Sequence, residues 1–449
     1  MVALAMLVLL AVVGLAIDAG LAYLVKARLN AAVDSAALAA ARAAPAGNNE
    51  VAQRASAQAA ANDFFAANMP ETYLLSRPKL LSTNVEFDGR GTITVDVRAE
   101  APMPVSIMQV LGFTTLNPVA YAQTIRRDLD MAFVIDTSGS MKSSAAALRT
   151  SAKSFLNKFN VVQDRVGLLS FGYGAEAETP IRDSARGFDR EAMFGKINQL
   201  VFDPSTNSAE GMWQARNELQ RIPSEKRSSM RVIVFFSDGV PTALASFLPF
   251  KGNTCKKSGA FDYSSNGLYP FDRSDGVQMS GACRLNDPYK SGDHMGTYVT
   301  QLPEWYNAHN AESNPNDPTK REFRLVNSGP GLALNPWRPV TSDLSSGTAV
   351  RRNVDGASRN LVEAIAAKAQ DEDIIVFTLG LGSDLRAKST MWGNETGEDI
   401  LKCLANVPDG PKRCYRPARP EGMYCYAATD ADLTPCFSRL ASAILRISK

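Results

Sequence analysis

The chain has 449 residues, enough for about two or three domains with a sizeable hydrophobic core. Its 48 Lys and Arg residues nearly balance its 46 Asp and Glu residues, so the charge gives no reason to expect a nucleic-acid partner. Only two histidines occur, His294 and His309, and no GxxxxGKS or GxxxxGKT loop is present. A histidine-based zinc site, a Ser-His-Asp triad and nucleotide hydrolysis therefore have little support.

The chain begins with an apolar segment. Residues Val2 to Val25 contain one charged residue, Asp18, and are long enough to span a bilayer as a helix. An Ala-rich helical pattern continues through Lys26–Ala44, which favours a retained membrane anchor over a cleaved signal peptide. A charge at the bilayer centre is costly, so we expect Asp18 at the outer interface or against a partner helix.

The orientation of this anchor has conflicting signals. Lys26 and Arg28 follow the apolar run and no basic residue precedes it, which places the C-terminal bulk inside by the positive-inside rule. Six dispersed cysteines without a CxxC motif instead indicate disulfides in an oxidising compartment, with six reduced thiols as the alternative. We give the cysteines more weight and expect residues 30–449 outside the cytoplasm.

Residues 45–127 are expected to form a small α+β stalk module. Pro45 and Gly47 break the first helix, and a second Ala-rich helix is predicted from Glu50 to Asn68. The Asp88-Gly89 pair is a hairpin signal between two alternating segments. The predicted strands are Lys79–Phe87, Gly91–Glu100 and Leu116–Arg126, with a helical turn at Val105–Leu111.

A buried strand followed by a polar loop comes next. Residues 129–140 read LDMAFVIDTSGS, in which an apolar run ends abruptly and a helical pattern follows from about Ser143. Loops at the carboxyl ends of parallel strands carry ligand sites in open α/β sheets. Here Asp136, Ser138 and Ser140 offer hard oxygen ligands, which suit Mg²⁺ or Mn²⁺ better than Zn²⁺. The alternative is a polar loop that only caps the next helix.

Two further loops complete the pattern. Residues 203–211 read DPSTNSAEG and place Thr206 at a helix entry, and residues 231–239 read RVIVFFSDG, a second buried strand that ends in Asp238. Three loops that adjoin one sheet can converge on one ion. We therefore expect a single metal site formed by Asp136, Ser138, Ser140, Thr206 and Asp238.

This set resembles the von Willebrand factor A domain and its metal-ion-dependent adhesion site, whose pattern is DxSxS, then Thr, then Asp. In that family the hydroxyl groups bind the metal directly or nearly so, and the aspartates act largely through water. The resemblance covers about residues 128–240 and resumes near 356–447. It implies an α/β fold with a doubly wound, mostly parallel sheet over residues 128–449. It also implies bound Mg²⁺, with Mn²⁺ or Ca²⁺ as alternatives.

Further elements of this domain follow from local patterns. The predicted strands are Arg165–Phe171, Arg231–Phe236 and Ile374–Leu379, and the predicted helices are Asp189–Leu200, Ser208–Arg221, Ala357–Gln370, Glu398–Ala405 and Asp430–Ile447. The pattern fails over 241–355, which we interpret as an inserted subdomain at the metal-bearing rim, because so long a structureless loop is improbable. A catalytic interpretation through Asp293, His294 and Glu304 is less favoured than a solvated loop held by aromatic packing.

The cysteines allow more than one connectivity. Cys255 and Cys283 both lie in the insertion, so we expect them to pair. The remaining four are expected to form Cys414–Cys425, across a Pro/Gly-rich turn, and Cys403–Cys436, between two helices. Cys403–Cys414 with Cys425–Cys436 is the rival pairing.

The N-terminal segment carries a second resemblance. GLAIDAGLAYLVKARLNAAVDSAALAAARA is similar to the first segment of TadE/TadG-like proteins of the tight-adherence (Flp) pilus system, although family members often have basic residues before the apolar run. Such an anchor followed by an A domain is a TadG-like arrangement. It implies a non-enzymatic protein of the inner (cytoplasmic) membrane, single-pass, with its bulk in the periplasm or outside the cell.

The two resemblances together imply Mg²⁺-dependent binding in Flp-pilus assembly, with the carboxylate of a protein partner at the open position of the metal. A surface adhesin that binds host or matrix protein through the same site is the alternative. An enzyme or chelatase subunit is a third hypothesis, which the missing nucleophile–base pair and the anchor disfavour.

Overall fold

The computed structural model describes residues 2–44, 50–88, 92–105, 109, 112–202, 205–247, 258–262, 301–309, 321–330 and 336–447. Of residues 2–11, 247, 258–262 and 446–447 it describes the backbone only. The chain forms two compact units, one that ends at Asp128 and one that comprises Leu129–Ile447.

The N-terminal unit combines two helices with a small antiparallel sheet. Its elements are α1 (Val2–Ala43), α2 (Glu50–Asn68), β1 (Lys79–Phe87), β2 (Thr92–Glu100), β3 (Met103–Pro104), β4 (Thr115–Leu116) and β5 (Val119–Arg127). The three-stranded sheet has the order β1-β2-β5, and Phe87 lies opposite Ile93 across the predicted hairpin. Alternate side chains of β2, such as Val95 and Val97, are buried in one core with alanines of α1 and α2. Most of the predicted turn at Val105–Leu111 lies outside the described residues.

The predicted membrane anchor falls within α1. The structure describes the side chains of this helix from Val12 onward, and Asp18 is buried rather than exposed on the helix surface. Among the described residues, no helix combines the length and the apolar character required to cross a membrane.

The second unit is an α/β fold. Its strands are β6 (Leu129–Asp136), β7 (Arg165–Phe171), β8 (Ala175–Thr179), β9 (Met230–Ser237), β10 (Ala243–Phe247), β11 (Ser258–Asp262), β12 (Ile374–Leu381) and β13 (Met423–Ala427). Its helices are α3 (Ala145–Leu156), α4 (Arg190–Gln199), α5 (Ser208–Arg221), α6 (Gly347–Asp371), α7 (Gly397–Leu404) and α8 (Leu433–Ile447).

Six of these strands form a mixed sheet in the order β13-β12-β9-β6-β7-β8. The pairs from β13 to β7 are parallel, and β8 joins the edge antiparallel to β7. The sequence pattern missed both edge strands, since β8 reads AEAET and β13 is only five residues long. A short or polar edge strand lacks the apolar run that identifies a central strand.

Both faces of this sheet are covered by helices. In β6, Ala132 and Val134 pack with α5, α6 and α7, whereas Met131, Phe133 and Ile135 pack with α3, α4 and α8. Successive side chains of a strand point to opposite faces, so a strand buried on both faces is apolar throughout. The continuous apolar runs of β6 and β9 therefore place these strands in the middle of the sheet.

The predicted insertion 241–355 is only in part a separate segment. Strands β10 and β11 pair as an antiparallel hairpin, but Leu302, Tyr306 and Phe323 belong to the same buried cluster as α5 and α6. Helix α6 starts at Gly347, ten residues before the predicted position, with Ser346 as its N-cap. Its first half contains buried polar residues such as Asn353, which obscure the apolar period in the sequence.

The favoured disulfide pairing is wrong for the four cysteines that the structure describes. Cys403 is bonded to Cys414, and Cys425 to Cys436, which is the rival connectivity. Cys403 lies on α7 at one face of the sheet, whereas Cys436 lies on α8 at the other face, next to Cys425 of β13. The sheet therefore separates the cysteines of the favoured Cys403–Cys436 pair. Cys255 and Cys283 lie outside the described residues.

A single substitution distinguishes the two connectivities. In Cys403→Ser we expect one new free thiol, at Cys414, while the Cys425–Cys436 bond remains intact. Peptide mapping of the alkylated, non-reduced protein identifies this thiol, and a free thiol at Cys436 would contradict the pairing.

Removal of the Cys425–Cys436 bond, whose partners are 11 residues apart, should lower the free energy of unfolding by about 3 kcal/mol.

Candidate metal centre

Asp136 is the last residue of β6 and is fully buried. Its Oδ1 accepts a hydrogen bond from the backbone N–H of Ser138 at 2.7 Å, and its Oδ2 accepts one from Ser237 Oγ at 2.6 Å. Ser237 is the last residue of the neighbouring strand β9. The Asp136 carboxyl group thus joins the loop after β6 to the end of β9.

The two serines of the first loop meet Asp238. Ser138 Oγ and Ser140 Oγ lie 3.0 Å apart, and they donate to Asp238 Oδ1 at 3.4 Å and 3.0 Å. Ser138 precedes a short 3-10 helix, Gly139–Ser144, but its side chain makes no capping hydrogen bond. The oxygens of Ser138, Ser140 and Asp238 are therefore gathered at one point, which helix capping does not explain.

Thr206 approaches the same point from the second loop. Its backbone N–H donates to Thr242 Oγ1 at 3.1 Å, and its carbonyl accepts from the Thr242 N–H at 2.9 Å. Thr206 Oγ1 lies 3.9 Å from the position that a Cβ would occupy on Gly239. The Thr206 hydroxyl is thus next to the residue that follows Asp238, and all three predicted loops converge.

Hydrogen bonds to the end of β7 position the first loop, after β6, and the second loop, before α5. The carbonyl of Phe171 accepts from Thr137 N–H at 2.8 Å and from Thr137 Oγ1 at 2.9 Å, and the carbonyl of Gly172 accepts from Asn207 N–H at 2.8 Å. A Cβ on Gly211 would lie 2.7 Å from the Phe171 ring, so glycine allows α5 to approach β7 closely. Sequence reasoning missed Thr137 and Asn207, which act through backbone carbonyls that no motif identifies.

The electrostatics of the pocket disfavour two free carboxylates. Burial and then the neighbouring charge of Asp238 raise the pKa of Asp136 to about 7. Burial also raises the pKa of Asp238, and the charge of Asp384 in the loop after β12 adds to this shift. A divalent cation would compensate these charges. The hydroxyl and carboxyl oxygens present are the donors that hard cations such as Mg²⁺ prefer, so the residues fit such an ion.

Other candidate sites receive no support from the described part of the chain. There, no group of three or more His, Cys, Asp or Glu side chains is arranged to hold a metal ion. Of the residues considered for catalysis, Asp293 and His294 lie outside the described ranges, and Glu304 forms an exposed ion pair with Arg324 at 2.6 Å.

Two family models match this chain. Residues 131–240 match the von Willebrand factor type A domain, and residues 1–43 match the Flp pilus-assembly TadE/G-like family. Both resemblances expected from the sequence are thereby confirmed. Comparison with curated proteins gives no match.

Solved structures with a similar chain path include pilus proteins. The pilus adhesin SpaC from Lactobacillus rhamnosus GG is 15% identical, with a TM-score of 0.38 over 84% of this chain and 34% of that chain. The vWF domain of the type V pili tip protein Mfa5 from Porphyromonas gingivalis is 17% identical, with a TM-score of 0.39 over 73% of this chain and 98% of that chain. This chain thus spans about a third of the SpaC chain.

The raised pKa of Asp136 predicts a pH dependence in the metal-free protein. Folding favours the protonated form of Asp136, because the pKa is higher in the folded protein than in the unfolded chain. The contribution of this group to the free energy of unfolding is therefore complete below about pH 4 and is lost as the pH rises through about 7. We expect metal-free wild type to lose stability relative to Asp136→Asn between about pH 4 and pH 7, by at most ~1.4 kcal/mol per pH unit. Urea unfolding of both proteins measures this difference, and a difference that does not vary with pH would contradict the shift.

Proposed function

We propose that Asp136, Ser138, Ser140, Thr206 and Asp238 hold one Mg²⁺ ion and that this centre binds a protein partner in Flp-pilus assembly. The observation that carries the proposal is the meeting of Ser138 Oγ, Ser140 Oγ and Asp238 Oδ1 within 3.4 Å, from loops 98–100 residues apart in sequence. Mn²⁺ and Ca²⁺ are the alternative ions, because they accept the same oxygen ligands.

The ligand set supports binding rather than catalysis. Three of the five side chains are neutral hydroxyls, and in the family that the motif resembles the aspartates act largely through water, so a bound divalent cation would keep a position for a carboxylate from outside. Ser140 is exposed and Asp238 is half-buried, so the pocket opens to solvent at the rim of the sheet. A carboxylate side chain of a partner protein could therefore reach the ion.

The N-terminal segment and the disulfides of the second unit support a cellular setting for this protein. The match of residues 1–43 to the TadE/G-like family supports a role in pilus assembly, and the apolar run Val2–Val25 supports an inner-membrane anchor. The two disulfides support an oxidising compartment for the second unit. We therefore propose that residues 30–449 lie in the periplasm or outside the cell.

Substitution of a charged ligand should lower the affinity for Mg²⁺ more than substitution of a neutral ligand. Asp136→Ala removes a carboxyl group and should abolish Mg²⁺ binding in a calorimetric titration, whereas Ser138→Ala and Thr206→Ala each remove one neutral oxygen and should weaken it less. Ser151→Ala is the matched control, since this serine of α3 pairs with Thr434 at 2.8 Å, away from the centre. Wild-type affinity in Asp136→Ala would refute the proposed site.

Partner binding should follow metal binding. In pull-downs from membranes that contain the pilus machinery, EDTA should release the partners, added Mg²⁺ should restore them to wild type, and Asp136→Ala should capture none. Capture of host or matrix protein instead of pilus components would favour the adhesin alternative. Capture that neither EDTA nor Asp136→Ala affects would exclude a metal-dependent mechanism.

The proposed orientation predicts the activity of a C-terminal reporter. Alkaline phosphatase fused at the C-terminus should be active in cells, because this enzyme requires an oxidising compartment for its own disulfides. A fusion to a reporter active only in the cytoplasm serves as the control. An inactive phosphatase with an active cytoplasmic reporter would reverse the orientation.

A further inference from the structure

Glu210 lies in the first turn of α5, four residues after Thr206, and is 1% exposed. Its Oε1 accepts a hydrogen bond from the hydroxyl of Tyr306, and its Oε2 lies 2.7 Å from His309 Nε2. Both partners belong to the segment 301–309 of the insertion. An acidic side chain in the first turn of a helix also complements the positive end of the helix dipole.

The insertion and α5 are joined by two adjacent contacts. Tyr306 is buried, and burial and the nearby Glu210 raise its pKa well above the usual value, so its hydroxyl stays protonated and donates. The ring of His309 stacks on Trp213, one turn further along α5, with ring centroids 3.4 Å apart and planes 5° from parallel. A buried polar contact and a stacked ring together fix segment 301–309 against this turn of the helix.

The same turn is also held from its other end. Thr242, just before strand β10 at the start of the insertion, exchanges hydrogen bonds with the backbone of Thr206, as described above. Asn207, the N-cap of α5, lies between the contacts of Thr206 with Thr242 and those of Glu210 with Tyr306 and His309. Its side chain donates to the carbonyl of Tyr173 at 2.7 Å. The insertion therefore contacts the stretch Thr206–Glu210 at both of its ends.

We infer that Glu210, Tyr306 and His309 are positioning residues of the candidate metal centre. They act through the first turn of α5, whose orientation sets the place of the Thr206 hydroxyl. In this inference none of the three is a ligand of the ion. The insertion thus has a role in metal binding, and this inference rests on the function proposed for the same centre.

The test measures the affinity of the full chain for Mg²⁺ alone. Glu210→Gln keeps the size of the side chain but alters its contacts with Tyr306 and His309, and should lower the Mg²⁺ affinity roughly tenfold, the lower range for groups that support metal ligands. Tyr306→Phe removes one hydroxyl and keeps the ring, so it should cause a smaller loss. Because Tyr306→Phe retains its packing, it also provides a test if Glu210→Gln does not fold.

Glu218→Gln is the matched control on the same helix. Glu218 is 2% exposed and accepts from Ile181 N–H at 2.9 Å and from Arg221, away from segment 301–309. The inference requires an unchanged Mg²⁺ affinity in this variant, even where its metal-free stability falls as far as that of Glu210→Gln. An equal loss of affinity in Glu218→Gln would overturn the inference, since general destabilisation would then explain both.

Two further outcomes separate this inference from the proposed function. If wild type binds Mg²⁺ and both Glu210→Gln and Tyr306→Phe bind it equally well, the positioning role is wrong and the metal centre stands. If wild type binds no Mg²⁺, the proposed metal centre is refuted, and the inferred positioning role is refuted as well.

Discussion

The candidate site depends on one buried carboxyl group, that of Asp136. It ends a strand in the middle of the sheet, where burial on both faces makes an uncompensated polar group costly. Its two oxygens accept from Ser138 N–H and Ser237 Oγ, so the loop after β6 and the end of β9 are fixed relative to each other. Asp238 follows Ser237 directly and is thereby placed against Ser140. The local geometry of these two loops thus follows from the hydrogen bonds that satisfy one buried group.

Residues outside the five-residue motif also position the candidate metal centre. The carbonyls at the end of β7 hold the first and second loops, and the insertion holds the second loop through Thr242 and through Glu210. Segment 301–309 also packs its apolar residues into the core formed by α5 and α6. A segment inserted late in the chain is therefore part of the framework of the candidate centre. In this account the hydroxyl oxygens are positioned before any ion binds, which is the usual requirement for a selective site.

Local patterns predicted some elements to the residue, and long-range pairings could not be predicted. Strand Arg165–Phe171 and helix Ser208–Arg221 have the bounds that their apolar period and polar caps indicate. The disulfide pairing failed because spacing along the chain does not reveal that α7 and α8 cover opposite faces of the sheet. The contact of Glu210 with His309 joins residues 99 apart, and nothing in the sequence around either one indicates the other. The five candidate ligands can be proposed from the sequence because their motif combines residues of three loops.

The most direct test of the central claim, that three loops hold one divalent cation, is anomalous diffraction from crystals soaked in Mn²⁺, which accepts the same hard oxygen ligands as Mg²⁺. We expect one strong anomalous peak in contact with the hydroxyls of Ser138 and Ser140, beside Asp238, and its loss in crystals of Asp136→Ala. Crystals of wild type that show no peak at this position at saturating Mn²⁺, or a peak only elsewhere, would exclude a cation held by the three loops.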